Sequence, residues 1–189
     1  MQSYRRIFWS FIFATFNLHI GALTIIPPFI GWIVVYSGLL TLGIKAREQA
    51  LARQRITCVC LIVLSALNGF LMLINASGLF RMLLPILVMV GELVFFHFLF
   101  SAIVEHFKTI EYFELATIYA KKDRTYLVLK GLATLFMTVS LSLNHQLLGL
   151  GGAILTLIAL IHVLTALYWL NKGAEQLLRR RQQALTFRS

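Results

Sequence analysis

Among 189 residues, the side chain that most invites a chemical reading is Glu92, set between Gly91 and Leu93 in an apolar run. No basic residue lies close to it in sequence. If that run crosses a bilayer, a carboxylate near its centre costs about 2.5 kcal/mol or more, which makes it a functional candidate by default. Two readings follow. Glu92 serves as a proton or cation site in a transport path, or it is a neutral Glu hydrogen-bonded to an adjacent helix. Asn68, in the preceding apolar run, is the expected partner in the second reading. Beside Gly69, Asn68 also fits close helix packing with polar glue.

His97 and His162 are the other titratable groups expected at depth. His97 follows Glu92 by five positions and projects roughly 140° away around a helix, so the two need not meet. His162 lies near the centre of the last apolar run. A Glu–His relay is one use of such residues, and a hydrogen bond between helices is the plainer one. The candidate intramembrane polar site is therefore Glu92, Asn68, His97 and His162.

Other chemistry finds little support. Cys58 and Cys60 stand two apart, so on a helix they point to different faces and neither chelate together nor pair readily. His19 and His145 each lie beside an outer turn, but no carboxylate or thiolate joins them there, and no metal is expected. No Gly-x-Ser-x-Gly, His-Glu-x-x-His or P-loop occurs, so no catalytic residue, enzyme class or cofactor is implied. Serine and threonine within the apolar runs are expected to bond their own backbone or a neighbour. Arg179, Arg180 and Arg181 are candidate contacts for anionic lipid headgroups, although a topology anchor is their simpler use.

What positions these residues is an apolar chain. It is 59% hydrophobic and 13% charged, with a mean hydropathy of +0.84. Soluble domains carry about 25% charged residues, so this chain lacks the polar surface a water-soluble fold needs. The net charge of +10 comes from basic residues flanking apolar segments. That pattern matches cytoplasmic loops of a membrane protein, not a nucleic-acid interface, and no nucleic-acid partner is expected.

Apolar stretches long enough to span about 30 Å of hydrocarbon predict an all-α bundle of six transmembrane helices in a single membrane domain, 1–189. The spans fall at about 4–20, 28–44, 57–75, 82–104, 126–143 and 153–171. Between the fourth and fifth, 105–124 alternates charges with Phe107, Ile110, Phe113, Ile118 and Tyr119 at helical spacing, as an amphipathic helix at the cytoplasmic interface would. Arg5 and Arg6 before an apolar run resemble a signal peptide, but no small-x-small cleavage site follows, so a retained first span is expected. With both ends in the cytoplasm, every Lys and Arg except Arg81 falls on the inner side, Lys130 being counted there. Basic bias sets orientation, so the expectation is a multi-pass plasma-membrane protein with inner termini.

The outer turns recur. Asn17 precedes Gly21 and Pro27, Asn75 precedes Gly78 and Pro85, and Asn144 precedes Gly149 and Gly151. Lys45, Glu48, Gln49, Leu51 and Arg53 match Lys172, Glu175, Gln176, Leu178 and Arg180 in spacing. Three helical hairpins would produce this pattern, and so would convergence, since Asn and Gly commonly end helices.

The run Phe16-Asn17-Leu18-His19-Ile20-Gly21, with Ile25-Ile26-Pro27-Pro28-Phe29-Ile30-Gly31-Trp32 after it, resembles a pattern in small uncharacterised polytopic membrane proteins of Gram-positive bacteria. The stretch 144–172 is similar to their last hairpin, and Pro28 departs from a position often polar there. The resemblance implies a helical membrane fold and carries no catalytic or binding residues. Two function classes remain. One is a small transporter or channel-like protein built on Glu92. The other is a membrane-embedded accessory protein whose 105–124 segment and basic tail meet a protein partner or anionic lipid.

Overall fold

The computed structural model describes residues 19–20, 23–24, 28–43, 48–74, 78–143 and 145–186, with side chains from 29–40, 52–71, 73–74, 80, 83–143 and 145–170. Five helices account for nearly all of it: α1 Pro28–Gly43, α2 Glu48–Leu73, α3 Leu79–Thr109, α4 Phe113–Leu143 and α5 Gln146–Thr186. A two-residue antiparallel ladder, β1 His19–Ile20 and β2 Leu23–Thr24, pairs His19 with Thr24 and Ile20 with Leu23. The expected first span ended at Ile20, so its last two residues are extended and paired here; residues 4–18 of that span lie outside the described residues.

Among the described residues, four helical stretches are long and apolar enough to cross a membrane: Ala52–Leu71, Leu83–Thr109, Phe113–Leu143 and Gln146–Leu170. They overlap the third to sixth expected spans, the fifth of which begins at Phe113 and not near 126. The expected second span is α1, which has 16 residues and so is about 24 Å long, short of the roughly 30 Å hydrocarbon core. Pro28 is its first residue, where a missing N–H costs nothing.

Close backbone approach runs from each helix to the next in sequence, α1 to α2 and on to α5. Small residues allow it. A Cβ on Gly91 would meet Leu61 of α2 at 2.8 Å, and one on Gly152 would lie 2.7 Å from Met137 and 3.2 Å from the Ala133 carbonyl oxygen of α4. Along the interior runs an aromatic chain of edge-to-face pairs: Trp32 to Phe95 at 5.3 Å, Phe95 to Phe96 at 5.4 Å and Phe96 to Tyr126 at 5.2 Å. Outward positions such as Val59, Val63, Leu67, Val128, Leu135 and Ile161 are exposed and apolar, as faces turned toward lipid should be.

The interfacial helix is not a separate element. Residues 105–109 complete α3, and 113–124 begin α4 and continue without a break into the fifth span. The hydrophobic spacing of that segment divides between two surroundings: Phe107 and Tyr119 are buried and stacked at 5.5 Å, whereas Ile110, Phe113 and Ile118 are exposed. The chain reverses at 110–112. There Tyr112 N–H donates to the Phe107 carbonyl and Glu111 N–H to the Lys108 carbonyl, with Glu111 at φ 62°. This is the Schellman arrangement, with a Glu where glycine is usual.

Other boundaries also shift. Helix α2 takes in part of the polar connection expected before the third span, and α5 runs on past the sixth span into the basic tail. Pro85 lies inside α3, not at its start, so it does not correspond to Pro27 and Pro28 of the first turn. Asn17, Asn75 and Asn144 fall outside the described residues.

Candidate intramembrane polar site

Antiparallel folding about 110–112 places α3 and α4 in a register that brings distant charges together. Lys130 Nζ donates to Glu92 Oε2 at 2.7 Å. Lys130 is only 4% exposed, whereas the Glu92 side chain is 28% exposed. The Tyr126 hydroxyl, one turn before Lys130, donates to the Glu92 backbone carbonyl at 3.4 Å. Glu92 is therefore neither isolated nor satisfied by Asn68. Contacts of Gln54 with Phe98 and of Leu61 with Gly91 set the α2–α3 register. That register leaves Asn68 about 12 Å along the helix from the level of Glu92.

Lys130 is the residue that sequence reasoning misplaced. Counted among cytoplasmic anchors, it lies within α4, about 28 Å along the helix from the turn, and its ammonium is buried against a carboxylate. The available signal was its place inside an apolar run. Reflection about the 110–112 turn sets it opposite Glu92, but the turn was not legible while 105–124 was read as one helix.

His97 pairs elsewhere. Its Nδ1 lies 2.9 Å from Asp123 Oδ2. Asp123 stands among the other charges of 105–124, and nothing in its sequence neighbourhood sets it apart. Its other oxygen, Oδ1, is buried without a hydrogen-bond partner. His162, on α5, has Nε2 3.1 Å from the Lys122 backbone carbonyl, so it bridges α5 to α4 one residue from Asp123. The structure thus divides the four expected residues among separate contacts: Glu92 with Lys130, His97 with Asp123, His162 with a backbone oxygen, and Asn68 apart.

Further polar contacts lock neighbouring helices. Gln54, 1% exposed, donates through Nε2 to the Phe98 carbonyl at 2.7 Å. Tyr119 OH donates to the Ala166 carbonyl of α5 at 3.1 Å, and Cys58 Sγ to the Trp32 carbonyl at 3.4 Å. Cys58 is buried and Cys60 exposed, on different faces. Thr57, Thr117, Thr134, Thr138, Thr156 and Thr165 each bond the carbonyl four residues back, the back-bonding common for threonine within helices.

Among the described residues no three His, Cys, Asp or Glu side chains converge as metal ligands. The side chains of Arg179, Arg180 and Arg181 lie outside the described set, though their backbone continues α5. The arrangement can hold helices in register and keep opposite charges paired inside an apolar layer. No family model, curated protein or solved structure matches the chain.

Proposed function

We propose that this is a six-span plasma-membrane protein with both termini in the cytoplasm, working as a membrane-embedded accessory protein that engages a partner. The observation that carries this reading is the closed Glu92–Lys130 pair at 2.7 Å. A half-buried carboxylate held by its own ammonium is neutralised in place and needs no exchanging ion to justify it. The resemblance of the first hairpin to small membrane proteins of Gram-positive bacteria is in keeping with a helical membrane fold and adds no activity. The partner-facing parts would be the charged turn-proximal end of α3 and α4 and the basic end of α5, with a membrane protein or anionic lipid opposite them.

A second reading, a small transporter, draws on one observation: Glu92 is the more exposed member of the pair. The two readings separate in one set of reconstituted proteins. Crosslinking in native membranes should recover a stoichiometric partner for the wild type. Proteoliposomes under an imposed potassium diffusion potential, read by a pH dye, should show no proton flux above empty vesicles. A flux that disappears in Glu92→Gln, while the protein stays folded and inserted, would overturn the accessory reading in favour of transport.

A further inference from the structure

Helices α3 and α4 each have 31 residues, so each is about 46 Å long, some 16 Å more than a hydrocarbon core of about 30 Å. The excess must emerge at the end where charge is concentrated, and that is the turn: Glu105, Lys108, Glu111, Glu114, Lys121 and Arg124 are all exposed there. At this level a cleft of about 350 Å³ opens between the two helices, and its charged lining is Glu105, Lys108, Asp123 and Arg124. Ser101, Val104 and Ala120 complete it, with Ala120 the smallest side chain in its lining.

The charges in this cleft do not satisfy each other. Two carboxylates and two cations line one space, yet the ion pair formed by any of them is that of Asp123 with His97, outside the cleft lining. Asp123 Oδ1 is buried and unpartnered. Glu105 and Lys108 are three apart on α3, and Ala120, Asp123 and Arg124 occupy one face of α4, so acceptor and donor groups face the same opening. A purely anionic ligand would meet both carboxylates, and a simple cation would meet both basic groups. A ligand carrying one ammonium and one phosphate matches all four.

We propose that this cleft binds the phosphoethanolamine headgroup of a membrane lipid, with Lys108 and Arg124 on the phosphate and Glu105 and Asp123 on the primary ammonium. The level of the cleft, where the hairpin leaves the hydrocarbon, is where such headgroups lie. A primary ammonium supplies N–H donors that a trimethylammonium lacks, which sets the expected selectivity.

The test uses the full-length protein, purified in detergent and titrated with phosphatidylethanolamine, phosphatidylcholine, phosphatidylglycerol or soluble glycerophosphoethanolamine, with bound lipid read by native mass spectrometry. Phosphatidylethanolamine should bind about tenfold more tightly than phosphatidylcholine or phosphatidylglycerol, the ratio one charge-assisted hydrogen bond supports. Glu105→Gln and Arg124→Ala, both at exposed positions, should each remove most of that preference. Lys121→Ala, exposed and outside the cleft, should keep it. Equal or tighter binding of phosphatidylglycerol would overturn the proposal in favour of general attraction to basic residues. Equal binding of phosphatidylcholine, or a preference that survives Glu105→Gln, would also overturn it. Saturation by the soluble headgroup at the same affinity would sink the lipid assignment.

Discussion

At the scale of single residues, Lys130 and Glu92 gain their meaning from each other. Lys130→Met would leave the half-buried Glu92 carboxylate beside Tyr126 with no cation, at a cost of about 1 to 3 kcal/mol, below that of a fully buried pair broken from one side. Glu92→Gln should cost a comparable amount by leaving the more deeply buried ammonium unpaired. The double variant Glu92→Gln/Lys130→Met should recover more than half of the loss, measured by thermal unfolding in detergent. Additive losses would mean that the two side chains contribute independently. Tyr119→Phe removes one hydroxyl bond to the Ala166 carbonyl and should cost about 1 kcal/mol in the same assay. The carboxylate was visible in the sequence because it interrupts an apolar run. Its partner was not, because it stands 38 positions away and pairing depends on where the chain turns.

At the scale of elements, the α3–α4 turn decides which residues meet. Glu111 holds a left-handed conformation that disfavours a side chain with a Cβ. Glu111→Gly should therefore stabilise the hairpin by up to about 1 kcal/mol, a rise in unfolding temperature that would be absent if the turn were not formed. Helix α5 approaches α4 over Gly152, where a side chain would press on Met137 and the Ala133 carbonyl. Gly152→Val should lower stability by about 1 to 3 kcal/mol, since flexible Met137 can yield and the carbonyl cannot. The amphipathic spacing in 105–124 was legible in the sequence, but its meaning was not. Periodicity identifies an apolar face without saying whether lipid or another helix covers it. Phe107 stacked on Tyr119 is covered by the partner helix, while Ile110, Phe113 and Ile118 stay exposed.

At the scale of the whole molecule, the proposed six-span topology with inner termini predicts how reporters behave. A fusion at Ser77, which lies outside the described residues, should report from the outer face, and one after Arg188 from the cytoplasm. A cytoplasmic signal at Ser77 would sink the six-span topology. The sequence by itself determined that this is an apolar helical chain with stretches of membrane length, four of them among the described residues, and that Glu92 is anomalous in one of them. These are local properties, set by the hydropathy of consecutive residues and the 1.5 Å rise of a helix. Only the tertiary structure decided that Lys130 leaves the set of cytoplasmic anchors to neutralise Glu92, that His97 belongs with Asp123, and that a cleft of unpaired charges opens where the hairpin emerges. Each depends on the register of antiparallel helices, which shifts with the position of a single turn. Composition and periodicity leave that position unspecified.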